Sequence, residues 1–246
     1  MPRLSWKIKI ALILSGLTVV LTLLHISLFD DPRTLFFYLF LDIVFVPVQV
    51  LLVSIVIEQL LSERETQIKL RKLNMVIGAF MGVLGTRLLG DMDRICVDSE
   101  LFAAALNVNT NWKKRDYLAA QLHVANSTLA FAPTATDLEK MRSLLRRQRN
   151  FILGLLQNSN TLEHEAFSDL LLAVCHLTEE LEYREEFALL PESDRLHLQG
   201  DIQRAYGLLV KQWLSYMQHL QSDYPYIFSL SVRTNPFNPL ASPVVL

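Results

Sequence analysis

Two long apolar stretches at the start of the chain limit its fold more than any other feature. From Ile10 to Phe29 there are twenty residues without Asp, Glu, Lys or Arg, and from Thr34 to Ile57 there are twenty-four whose only charge is Asp42. A helix rises about 1.5 Å per residue, so about 20 residues match the roughly 30 Å hydrocarbon layer of a bilayer. Both stretches are long enough to cross, the second with some tilt. A cleaved signal peptide is the rival reading of the first, because Arg3, Lys7 and Lys9 form a basic leader. It fails on three counts: the apolar run is too long for a signal core, it closes on His25-Ile-Ser-Leu-Phe29 without an A-x-A site, and another span follows at once.

Only Asp30, Asp31, Pro32 and Arg33 join the two stretches, which predicts a tight transmembrane hairpin over residues 1–61. Three basic residues precede the first span, one lies in the loop, and Arg64, Lys69, Arg71 and Lys72 follow the second, so both termini are expected in the cytoplasm. The residues after Leu61 would then form a cytoplasmic part in which Cys96 and Cys175, which belong to no C-x-x-C pair, are free thiols.

Polar residues inside the spans are the first functional candidates. Asp42 lies about eight residues, or ~12 Å, from the outer end of its helix, and Thr22 about seven residues from the outer end of the other. Gln49 shares the Asp42 face, with Pro47 between them removing a backbone donor. An intramembrane carboxylate suits an ion relay or a polar docking point; a protonated Asp42 bonded within the hairpin is the plainer alternative.

The remainder reads as helix. Leu70, Leu73, Ile77, Phe80, Leu84 and Leu88 recur at spacings of three and four, which predicts a stalk helix over residues 62–95 whose apolar stripe needs a partner. Gly78, Gly82 and Gly85 would let another helix approach closely, and no Lys follows to make them a phosphate loop. A helical domain is expected over 96–222. Short helices fall near Ser99–Ala105 and Trp112–Ser127, a capping box of Thr136 and Glu139 opens the next, Asn160 with Glu163 opens another running toward Leu189, and Ser193 after Pro191 opens the last. Residues 223–246, aromatic and proline-rich, are expected as an extended tail. No window alternates with a period of two, and Gly (8) and Pro (9) are scarce beside 51% hydrophobic residues, so the fold class is all-α and neither disordered nor a β sandwich.

Net charge is −2, which gives no global field for nucleic acid. The balance is uneven, with 14 basic and 9 acidic side chains in residues 62–150 against 5 and 12 in 151–246. Arg142, Arg146 and Arg149 share one helix face, with Lys140 and Arg147 nearby. Anionic lipid or a partner protein would suit that stripe, as would the acidic run from Glu179 to Glu186; no nucleic-acid motif accompanies it.

Most catalytic motifs are absent. His164-Glu165 begins an H-E-x-x-H, but position 168 is Ser. What remains is His176 with Glu179 and Glu180 on one helix, and Asp194, His197, Asp201 and Arg204 on the next at spacings of three, four and three. Side by side, two such helices would offer His176, Glu180, His197 and Asp201 to a divalent metal, although the E-x-x-H order of di-iron bundles is missing and such pairs also dress ordinary helix surfaces.

The strings Phe40-Leu-Asp-Ile-Val-Phe-Val-Pro-Val-Gln49, Glu58-Gln-Leu-Leu-Ser-Glu-Arg-Glu65, Lys72-Leu-Asn-Met-Val-Ile-Gly-Ala-Phe80, Tyr224-Pro-Tyr-Ile-Phe-Ser-Leu and Arg233-Thr-Asn-Pro-Phe237 resemble an uncharacterised family of bacterial two-span inner-membrane proteins. The resemblance implies a bacterial inner-membrane location and supplies no activity. The expected function is a membrane-anchored, non-catalytic interaction or regulatory module whose partners are the bilayer and a protein or second copy. A metal-binding enzyme or sensor and a small channel subunit using Asp42 are the alternatives.

Overall fold

A computed structural model describes residues 6–29, 31–127, 129–162 and 164–244. Arg3, Asp30 and Glu163, which enter the expectations above, lie outside the described residues. The chain divides into two compact units, Met1–Thr66 and Gln67–Leu246.

The first unit contains α1 (Trp6–Phe29) and the start of α2 (Pro32–Phe80). Asp31 caps α2: its carboxylate accepts from the Thr34 backbone N–H at 3.2 Å and the Thr34 hydroxyl at 2.6 Å, while Pro32 occupies the first helical turn, where its missing N–H costs nothing. No residue of α1 is buried, and Leu12, Phe40 and Leu52 are all more than half exposed. Both helices are long and apolar enough to cross a membrane by length and composition.

The second unit is helical, and its described residues contain no strand, only an isolated bridge between Cys96 and Phe131. A π-helical turn, Met81–Gly85, leads from α2 into α3 (Thr86–Asp93). Then come α4 (Ser99–Ala105), α5 (Lys114–Asn126), α6 (Ala135–Leu156), the short α7 (Ser159–Leu162), α8 (Glu165–Glu182), a 3₁₀ turn (Phe187–Leu189), α9 (Glu192–Asp223) and α10 (Pro225–Arg233). Helix α9 is the axis of the unit. Its apolar face, which includes Leu198, Ile202, Leu209, Trp213 and Leu220, is buried among α8, α5, α3 and α10.

Four expectations are corrected. The stalk stripe does not await an outside partner: Leu73, Ile77, Phe80, Leu84 and Leu88 are buried in this unit's own core, Phe80 edge-on to Phe167 of α8 at 5.6 Å, and only Leu70 is exposed. The capping box of α6 is Thr134 with Asp137, two residues before the expected pair; the Thr134 hydroxyl accepts from the Asp137 N–H while the Asp137 carboxylate accepts from the Thr134 N–H. Helix α8 stops at Glu182 and does not run to Leu189. Residues 225–233 are helical, because Pro225 sits in the first turn of α10, where proline is tolerated. Beyond that helix, Asn235 is fully buried and donates to the Leu106 carbonyl at 3.1 Å, and Phe237 sits edge-on to Trp213 at 5.1 Å.

Candidate metal centre

Helices α8 and α9 each carry a histidine and an acid one turn apart, His176 with Glu180 and His197 with Asp201. A spacing of four keeps each pair on one helix face. The link between the helices fixes how the pairs meet. Arg184 donates through Nε to Asp194 Oδ2 at 2.7 Å and through Nη1 to Glu180 Oε2 at 2.7 Å, so one guanidinium ties the end of α8 to the start of α9. His176, Glu180, His197 and Asp201 then bring one ligand atom each to within 4.8 Å of one another.

The distances carry chemical information. Asp201 Oδ2 lies 3.3 Å from His197 Nε2 and 3.5 Å from His176 Nε2. Glu180 lies 3.5 Å from His197 Nε2 and 3.8 Å from His176 Nε2. Direct N–H···O bonds cluster near 2.9 Å, and none of these four contacts makes one. Four ligands placed about 2.0–2.1 Å from a tetrahedral ion stand roughly 3.4 Å apart; the Asp201 contacts and the Glu180–His197 contact match that spacing, while the four atoms together spread to 4.8 Å.

Asp201 adds a second, independent observation. Its side chain is 3% exposed, Oδ1 accepts from Arg204 Nη1 at 3.1 Å, and Oδ2 is a buried atom without a hydrogen-bond partner among the described residues. A buried carboxylate oxygen without a hydrogen bond costs about 1–3 kcal/mol or more, a cost that a protonated imidazole at 3.3–3.5 Å or another cation would offset. Arg204 orients the carboxylate and aims Oδ2 at the two imidazoles. The opposite wall is open, with His176 and His197 side chains 45% and 52% exposed.

Electrostatics prepare the site for a cation. The Arg184 guanidinium holds the Glu180 carboxyl below the ordinary carboxylate range, helped by the two histidines, and does the same for Asp194. Asp194 is thereby committed to Arg184 and is not one of the four donors, while Glu179 is exposed outside the cluster. Both carboxylates stabilise the fold above the usual carboxylate pKa of about 4, and that contribution is lost as pH falls through their lowered values. Arg184→Gln is therefore expected to cost about 1–2 kcal/mol near neutral pH after solvent screening, and to flatten the acid limb of a thermal-stability profile measured from pH 7 to 3.

The other candidates fall elsewhere. His164 caps α8, its Nδ1 accepting from the Phe167 N–H at 3.3 Å. Arg142 is committed inside the unit: it pairs with Glu139, donates to the Arg184 carbonyl and lies over the Phe187 ring at 4.9 Å. Arg149 is 3.7 Å from Glu182, and Arg146 is exposed without an ion-pair partner among the described residues. Gly78 faces the Tyr216 ring of α9, Gly82 is open, and a Cβ at Gly85 would come within 2.7 Å of Met81 Sδ in the π turn, so the three glycines form no common face. Thr22 of α1 and Asp42 and Gln49 of α2 are exposed, with no hydrogen bond or ion pair among the described residues. Cys96 and Cys175 are free thiols.

Family models describe the same division of the chain. One, the N-terminal helical domain of MJ1433, matches residues 2–61, and another, the C-terminal helical domain of "Uncharacterized protein MJ1433", matches residues 69–233. The chain belongs to the MJ1433 family. A relative from Methanocaldococcus jannaschii, named "Uncharacterized protein MJ1433", is 39% identical over 235 residues that cover 95% of this chain and 94% of the relative. That MJ1433 family member is archaeal, whereas the sequence resemblance pointed to bacterial proteins. No solved structure matches the chain.

Proposed function

We propose that this chain is a membrane-tethered helical module whose α8–α9 face binds one divalent transition-metal ion and whose interactions are regulated by that ion. The observation that carries the metal reading is the unpaired, buried Oδ2 of Asp201 beside two imidazole nitrogens at 3.3 and 3.5 Å. Two nitrogen donors with two carboxylates favour zinc, manganese, iron(II) or cobalt over magnesium and calcium, which prefer oxygen. An ion at this place clamps α8 to α9. The half-exposed imidazoles leave one side reachable from solvent, which suits exchange and therefore sensing better than a sealed structural site.

The tether reading is supported by α1 and the apolar start of α2, none of whose apolar side chains is buried. The lysine and arginine bias supports cytoplasmic termini at the inner face of a cell membrane. The whole chain, purified in mild detergent without chelators and then equilibrated anaerobically with each metal, is expected to hold about one ion per molecule by elemental analysis. It is also expected to stay with membranes through alkaline carbonate extraction. A chain that holds no ion after equilibration with any of the four metals ends the metal reading, and release into the soluble fraction ends the tether.

A further inference from the structure

The second unit carries a cleft of about 740 Å³ between α3 and α6, away from the α8–α9 face. Arg87 enters it from α3 and Arg94, seven residues on, from the residue that caps the end of α3; Lys140, Ser143 and Arg147 enter from α6 at a spacing of three and four. Both sets therefore lie on single helix faces, and the buried side chains of Ile95, Met141 and Leu144 line the same cleft. Each acid at the cleft is already used. Asp91 pairs with Arg94, Asp137 closes the N-cap of α6 with Thr134, and Glu139 pairs with Arg142. Lys140 and Arg94 lie close enough to Asp137 to help hold its carboxyl below the ordinary range, its capping bond to Thr134 being the larger cause.

Arg87, Lys140 and Arg147 remain, and none has an ion-pair partner among the described residues. The cleft is lined by four basic side chains (Arg87, Arg94, Lys140, Arg147) and three acidic ones (Asp91, Asp137, Glu139), a net charge of +1 that favours an anion. Arginine forks and a lysine ammonium beside a hydroxyl donor match the oxygens of a phosphate group. The volume lies within the roughly 300–1,000 Å³ of small-molecule sites, so it holds the phosphate together with the group it is attached to. We propose that this α3–α6 cleft binds a phosphate-bearing ligand, with Arg87, Lys140 and Arg147 neutralising the phosphate and Ser143 donating to it. The phosphate belongs to a soluble phosphate ester or to an anionic lipid headgroup; the recognition chemistry is the same.

The test is calorimetric titration of the full chain with inorganic pyrophosphate in uncharged detergent micelles. Saturable binding is expected, about tenfold weaker in Arg147→Gln and in Lys140→Gln, and unchanged in Arg146→Gln, which removes an equal charge from α6 outside the cleft. Binding is also expected to persist in Asp201→Asn, which separates it from capture of pyrophosphate by a metal ion. In micelles doped with phosphatidic acid, a weaker apparent affinity identifies a lipid headgroup as the natural source, and an unchanged affinity identifies a soluble ester. No saturable binding, an equal loss in Arg146→Gln, or disappearance of binding in Asp201→Asn overturns the proposal.

Discussion

Asp201→Asn is expected to lower the affinity of the chain for zinc by more than about a hundredfold, because on the proposed reading it removes a direct ligand where loss of a mere supporting contact already costs 10–100-fold. The same substitution leaves the metal-free domain within about 1 kcal/mol of wild type. Asn keeps the volume of the buried side chain and its carbonyl still accepts from Arg204, while the unpaired anionic oxygen disappears. The two effects separate a metal site from a structural polar cluster. In a cluster held only by histidine–carboxylate attraction, the substitution would weaken the metal-free fold and leave any zinc effect untouched. Competition titration against a chromophoric chelator reads the affinity, and thermal unfolding with and without zinc reads the stability. An equal zinc-induced rise in Tm for both chains would sink the assignment.

Trp213→Ala is expected to destabilise the second unit by about 3–5 kcal/mol, a large share of the 5–15 kcal/mol that holds an ordinary domain. Trp213 is 2% exposed on α9, and it is the ring against which Phe237 stands. Its loss leaves a cavity at the axis of the unit and frees the segment after α10. Urea unfolding is expected at a lower midpoint, and limited proteolysis is expected to cut residues 234–244 under conditions where the wild type resists. Tyr226→Ala, at a ring 74% exposed, serves as the control and should shift stability by no more than about 0.5 kcal/mol.

The juxtaposition of the two histidine–carboxylate pairs was legible in the sequence because its information is local: two i,i+4 pairs on consecutive amphipathic helices need only to face each other. What the spacing did not carry was the register that makes them meet. That register depends on Arg184, whose side chain spans ten residues to Asp194 and also takes Asp194 out of the donor set. The stalk stripe was legible as apolar and misassigned in its partner, because the side chains that cover it, such as Phe167, come from helices far along the chain. The basic stripe is split for a similar reason: Arg142, Arg146 and Arg149 share a face by spacing, but a carbonyl and a ring from the link after α8 claim Arg142 and Glu182 lies 3.7 Å from Arg149, which leaves Arg146 without an ion-pair partner among the described residues. Tyr224-Pro225 reads as a break from composition, whereas proline at a first turn starts a helix as readily as it ends one.

The π turn at Met81–Gly85 changes what the helical segment around it can address. Each widened turn inserts one more residue than an α-helix would use, which rotates everything downstream by about 100° relative to the upstream pattern. Before the turn, Phe80 is aimed at α8; after it, Arg87 and Arg94 are aimed at α6. One helical run thus serves two neighbours in different directions without a loop between them. A single-residue deletion inside the turn would restore regular winding and point the guanidinium groups away from the cleft.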